Sequence, residues 1–174
     1  MTKKQVGTVF FYILIGFPIL VFILMPTHAI DPWAVSFEHF LDKYLFGNGY
    51  FKPDRYPFAA KVTNSLTVLL AVVLGILYAT VFRNEPYHIP KKDRKKVLMG
   101  LFVLFLFCLW LSIFPQEFST TTGRGFGIKR SFHNDTVFFL FMIICIKFAI
   151  YTGVVFLGQF FFQGIRWLKL KKFK

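Results

Sequence analysis

The sequence predicts an all-α integral membrane protein: a bundle of four transmembrane helices with a short interfacial helix in the first outer loop. Residues 6–25, 62–82, 97–114 and 136–157 are apolar over nearly the whole length of a span. About 30 Å of hydrocarbon at 1.5 Å per residue requires roughly 20 such residues. The basic residues between these stretches fall on alternating sides. Thirteen of the 21 Lys and Arg lie in the first four residues, in the 83–96 loop and in the tail from Arg166, opposed there only by Glu85 and Asp93. The 26–61 and 115–135 loops carry seven bases nearly balanced by six acids. The positive-inside rule then puts both ends of this chain and the middle loop in the cytoplasm.

With 174 residues, 56% hydrophobic and 17% charged, the chain reads as a single domain embedded in lipid. Helices are the element such a chain uses, because an open sheet would leave backbone groups unpaired in hydrocarbon. The 26 phenylalanines lie mostly in the spans, as lipid-facing surface and helix packing. A net charge of +13 raises the question of nucleic acid, but its placement fits anionic lipid instead, so no nucleic-acid partner is expected.

The first span follows Lys3 and Lys4, as in a signal peptide. Its apolar run is too long for a typical signal core and Pro26-Thr27-His28-Ala29 is a poor cleavage site, so it reads as a retained span. Gly16 and Pro18 predict a bend within it. In the first outer loop Asp31-Pro32 is a helix start and Gly47 a stop. Trp33, Phe37, Phe40, Leu41 and Tyr44 fall on one stripe between them, with Glu38 and Asp42 pointing away, which predicts an amphipathic helix of about 14 residues on the membrane surface. In the second span Ala71, Gly75 and Ala79 recur every four residues, a spacing that lets two helix backbones approach closely within the molecule or against a partner.

Lys147 lies about 16 Å from either end of the fourth span, too deep to reach water. A charge at that depth costs on the order of 3 kcal/mol or more, so it needs an acceptor on another helix or a partner. Asn64, Thr67, Ser112 and the carbonyls near Pro18 are the internal options. Ala149 and Gly153 form a small pair on another face of the same helix and suggest that two faces are in use.

No catalytic or cofactor constellation emerges. His28, His39, His88 and His133 all lie outside the spans, which leaves no intramembrane haem pair, and no two have zinc-ligand spacing. Cys108 and Cys145 read as small buried hydrophobes. The glycine-rich run from Gly123 to Gly127 lacks the context of a phosphate cradle. No cofactor, metal or enzymatic activity is expected.

The second outer loop reads Glu117-Phe118-Ser119-Thr120-Thr121-Thr122-Gly123-Arg124, and Asn134-Asp135 opens an aromatic-rich last span. This segment resembles the immunity proteins of pore-forming colicins of the colicin A type, which carry a Thr-Thr-small-Gly segment commonly followed by Arg between their third and fourth spans. The similarity is strongest over residues 115–150, with a weaker echo in residues 80–99, where Asp93-Arg94 precedes the third span. Thr122 stands where that family usually has Ala, and Gly125-Phe126-Gly127 extends the loop. The resemblance implies a plasmid-encoded, non-enzymatic inhibitor in the bacterial inner membrane that meets the pore-forming domain of a cognate toxin and stops channel opening. It places recognition on Thr120, Thr121, Gly123 and Arg124, with Asn134 and Asp135 beside them as residues that can also cap the fourth span. The cost of its charge, with no Asp or Glu inside any span, makes Lys147 a further candidate contact with a toxin or a second copy. Small-residue faces also leave self-association open. Two other readings fit the same spans: an accessory subunit of a membrane complex, with Lys147 paired to a partner carboxylate, and a small intramembrane enzyme using the 115–135 loop.

Overall fold

The computed structural model describes residues 2–45, 53–85, 94–114 and 135–172, and all secondary structure among them is helical. Five helices follow in order: α1 (Lys3–Leu24), α2 (Pro32–Tyr44), α3 (Pro57–Val81), α4 (Arg94–Ile113) and α5 (Thr136–Lys172). All except α2 are long and apolar enough to cross a membrane, which marks a multi-pass membrane protein.

Local chemistry accounts for the helix starts. Thr2 and Gln5 form a capping box at α1: the Gln5 N–H donates to Thr2 Oγ1 at 3.3 Å, and the Thr2 N–H donates to Gln5 Oε1 at 2.8 Å. The helix continues through both Gly16 and Pro18 to Leu24. At α2, Asp31 occupies the cap position and Pro32 the first turn, as expected, but the Asp31 carboxylate makes no capping bond. Asp135 does cap α5, its Oδ1 accepting from the N–H groups of Val137 at 2.9 Å and Phe138 at 3.2 Å. Gly47, the expected stop of α2, lies outside the described residues.

Two boundaries differ from the sequence reading by five residues or more. Helix α3 begins at Pro57, five residues before the expected start at 62, and includes Lys61. That lysine is neutralised by two carboxylates of α2, so its charge does not oblige the helix to start later. Helix α5 runs 37 residues where a span of 22 was expected. No proline interrupts it, and at about 55 Å it exceeds any hydrocarbon core.

Helix α3 is the centre of the bundle. Of its apolar window 61% is buried, against 17% in α1 and in α4 and 33% in α5. It runs parallel to α5: going down the pair, Tyr56 meets Phe139, Asn64 meets Lys147, Gly75 meets Val154 and Ala79 meets Gly158. Helix α1 runs against both. Phe22 packs with Tyr56 and Phe139 at one end (5.0 and 5.6 Å between ring centroids), and Phe10 packs with Tyr78 and Tyr151 at the other (6.2 and 6.4 Å). These two aromatic triads fasten α1, α3 and α5 at both ends, mostly in edge-to-face geometry. Helix α4 lies outside this trio, on α5, with its Phe105 ring over Gly153.

Candidate functional site

Polar side chains inside an apolar bundle are the natural place to look for function, and they converge where α3, α4 and α5 meet. Lys147 is fully buried. Its ammonium donates to Asn64 Oδ1 at 2.6 Å and to Ser112 Oγ at 2.8 Å, while Asn64 Nδ2 donates to the Ser112 carbonyl oxygen at 3.1 Å. One lysine thus binds a neutral acceptor from each of two neighbouring helices, and those acceptors bind each other. Thr67, one turn below Asn64, donates its hydroxyl to the carbonyls of Thr63 at 2.6 Å and Asn64 at 3.2 Å. Groups at this depth have no water to return to, so each bond fixes the rotation and depth of a helix. The arrangement is a three-helix lock. Asn64 and Ser112 were both among the internal acceptors available from the sequence. The expectation that Lys147 meets a toxin contrasts with this placement, in which its side chain points inward and reaches acceptors of its own chain.

A second polar cluster joins α2 to α3. Lys61, largely buried, pairs with Glu38 at 2.6 Å and Asp42 at 2.9 Å. The sequence reading had both acids pointing away from the packed face. Instead α2 is divided into three sectors around its axis. Glu38 and Asp42 face Lys61; Ala34 and Leu41 are buried against Phe58, Val62 and Val21; and Trp33, Phe40 and Tyr44 are exposed. The signal for this clip was present as two acids four residues apart, on one face of a helix, and a lysine early in the next span. Nearby, the Phe58 N–H donates to the Thr27 carbonyl at 3.1 Å, which ties the start of α3 to the segment after α1. Burial pushes the Tyr56 phenol up to about 12 at this same end.

The small residues of α3 serve the parallel contact with α5. A Cβ added at Gly75 would stand 2.8 Å from Val154 Cβ and 3.2 Å from the Tyr151 carbonyl, and Ala79 abuts Gly158. Ala71, one turn earlier on the same stripe, is fully buried. Gly153 accommodates α4 through Phe105, whereas Ala149 lines an apolar groove between α1 and α4. Both faces of α5 are therefore in use: the Lys147 side holds the buried polar bonds, and the Ala149–Gly153 side meets α4 and floors the groove. Cys108 is buried as expected, but Cys145 is exposed on α5.

Asp135 is found at the α5 cap; Thr120, Thr121, Gly123, Arg124 and Asn134 lie outside the described residues. The ends of the segment that holds them are nevertheless fixed in space. Ser112 near the end of α4 and Phe139 near the start of α5 both sit on the side of the bundle where α2 and Tyr56 lie. Among the described residues, no group of three or more His, Cys, Asp or Glu could hold a metal ion. Compared with models of protein families, with curated proteins and with solved structures, the chain matches none.

Proposed function

We propose that this chain is a bacterial inner-membrane immunity protein that blocks a pore-forming, colicin-type toxin. The observation that carries the reading is the Thr120-Thr121-Thr122-Gly123-Arg124 segment followed by Asn134-Asp135 at the head of the last span. Two features of the bundle support it. Asp135 caps α5, so the segment is tethered to the end of the bundle that also carries α2. With the cytoplasmic termini that the charge distribution favours, that end faces the side from which a toxin arrives. The exposed Trp33, Phe40 and Tyr44 suit α2 to the outer interface, where such rings are enriched. The accessory-subunit reading needed Lys147 to pair with a partner carboxylate, and its internal acceptors remove that need.

The toxin's hydrophobic helices would then meet the lipid-facing sides of α1 and α4. The Ala71, Gly75 and Ala79 stripe is occupied within the molecule. Specificity would rest on side-chain fit and on polar groups left unpaired by the wrong toxin.

Expression in a sensitive bacterium tests the proposal. Cells should survive one pore-forming toxin and remain sensitive to nuclease toxins, with receptor binding and import unchanged. Arg124→Ala should weaken protection more than Lys129→Ala at equal protein level. Correctly inserted protein that protects against no channel-forming bacteriocin would favour the accessory subunit.

A further inference from the structure

Helix α1 presents one face that is not used by the aromatic triads. Lys4, Thr8, Phe11 and Ile15 follow at spacings of four, three and four residues, which places them in a single row about 16 Å long. Along that row the chemistry changes from cation to hydroxyl to aromatic ring to aliphatic chain. Two cavities follow it. The first, of about 560 Å³, lies at the Lys3–Lys4 end and is lined by both lysines with Thr8, Phe11, Tyr12 and Tyr78. The second, of about 510 Å³, continues from Phe11 between α1 and α4 over α5, and is lined by Leu14, Ile15, Leu104, Phe148 and Ala149. Phe11 belongs to both cavities and leans edge-on against Phe148 at 5.8 Å. The groove exists because α1 and α4 both approach α5 while their backbones stay apart from each other among the described residues.

We infer that these two cavities, which meet at Phe11, together bind one anionic phospholipid. Its phosphate sits at Lys3 and Lys4 with the Thr8 and Tyr12 hydroxyls beside it, and an acyl chain runs past Phe11 along Ile15, Leu104 and Ala149. Charge decides the class of ligand. Two ammonium groups at the mouth favour a phosphate that carries net negative charge over a zwitterionic headgroup, and the change in polarity down the row follows the depth profile of a lipid. A partner helix would meet these cations only at one end, whereas a phospholipid matches the change in polarity along the whole row. Lys3 is held in place by donating to the Glu85 backbone carbonyl in the turn after α3, and Tyr78 of α3 lines the same mouth, so it is built from both α1 and α3. Ala149 gives the groove its depth, a role for a small residue that helix packing leaves unexplained.

Purified full-length protein in mixed micelles, with phosphatidylglycerol or phosphatidylcholine of matched chains, tests this by native mass spectrometry. One phosphatidylglycerol should be retained per chain, about tenfold in preference to phosphatidylcholine. Lys3→Gln with Lys4→Gln should lose that preference. Ile15→Trp should reduce retention of phosphatidylglycerol to a similar degree, although the charge is unchanged, because the indole fills the groove. Arg83→Gln with Lys96→Gln removes the same charge at residues that line neither cavity and should leave retention intact. The proposal is overturned if the two charge pairs have equal effects, which would indicate diffuse attraction. It is equally overturned if Ile15→Trp retains phosphatidylglycerol as the parent does, including the case in which that variant loses toxin protection and the groove receives a protein helix.

Discussion

Removing the Lys147 amine leaves Asn64 Oδ1 and Ser112 Oγ without the donor they share, whereas removing Asn64 leaves a buried amine with one acceptor fewer. The two losses differ in size. A neutral buried group deprived of a bond costs about 1–3 kcal/mol, and breaking the surroundings of a buried charge costs about 3–5 kcal/mol. We therefore expect Lys147→Leu to be destabilising and Asn64→Leu more so, in unfolding of the purified protein by denaturing detergent. The combination of Lys147→Leu, Asn64→Leu and Ser112→Ala should recover most of the loss, because every member of the lock is then apolar. If the single and triple variants unfold alike, the polar lock does not hold the three helices. This outcome is independent of any toxin, since all three side chains lie inside the bundle.

Among the elements, α2 depends most on a single side chain. It is short, it buries only Ala34 and Leu41 fully, and its charged contact to the bundle is the Lys61 pair. Isolated helices of this length are marginal, so what holds α2 in place is its packing and this clip. The two carboxylates are about a third exposed while the lysine is 6% exposed. The contribution should fall between a surface pair and a buried one, about 1–3 kcal/mol. In a variant with Cys108 and Cys145 replaced, Leu41→Cys should react slowly with a maleimide, because position 41 is fully buried. Adding Lys61→Met should raise that rate by about tenfold as α2 opens from α3. An unchanged rate would mean that apolar packing secures the helix without the ion pair.

At the scale of the whole molecule, the parallel pairing of α3 and α5 is the feature on which the other contacts depend. Both helices start at the same end of the bundle, so α1 and α4 must run against them, and the lock and the two aromatic triads follow from that arrangement. Gly75 and Val154 provide a direct check. Their Cβ positions are close enough for a disulfide once the helices give slightly. With the native cysteines replaced, Gly75→Cys with Val154→Cys should oxidise within one chain, whereas Leu77→Cys with Val154→Cys should not, since Leu77 is exposed on another face. Absence of the 75–154 crosslink would rule out the close approach of α3 and α5 at Gly75.

The existence and order of the helices were legible in the chain because hydropathy sums along a sequence without reference to neighbours. The thickness of hydrocarbon sets a length, and four stretches meet it. The start of α2 at Pro32 and the cap at Asp135 were legible for a related reason, since a first-turn proline and a side-chain cap are both settled within a turn. Which face of each helix is covered is a different kind of quantity. In an apolar span almost every position is compatible with lipid, so periodicity says little about what packs inward. The start of α3 could not be placed without knowing that Glu38 and Asp42 neutralise Lys61 from a helix more than fifteen residues earlier. Lys147 could be singled out by the cost of its charge, and its acceptors named as options, but only the meeting of three helices decided that Asn64 and Ser112 take the bonds. The groove over Ala149 is decided the same way, by two helices that rest on α5 while their backbones stay apart.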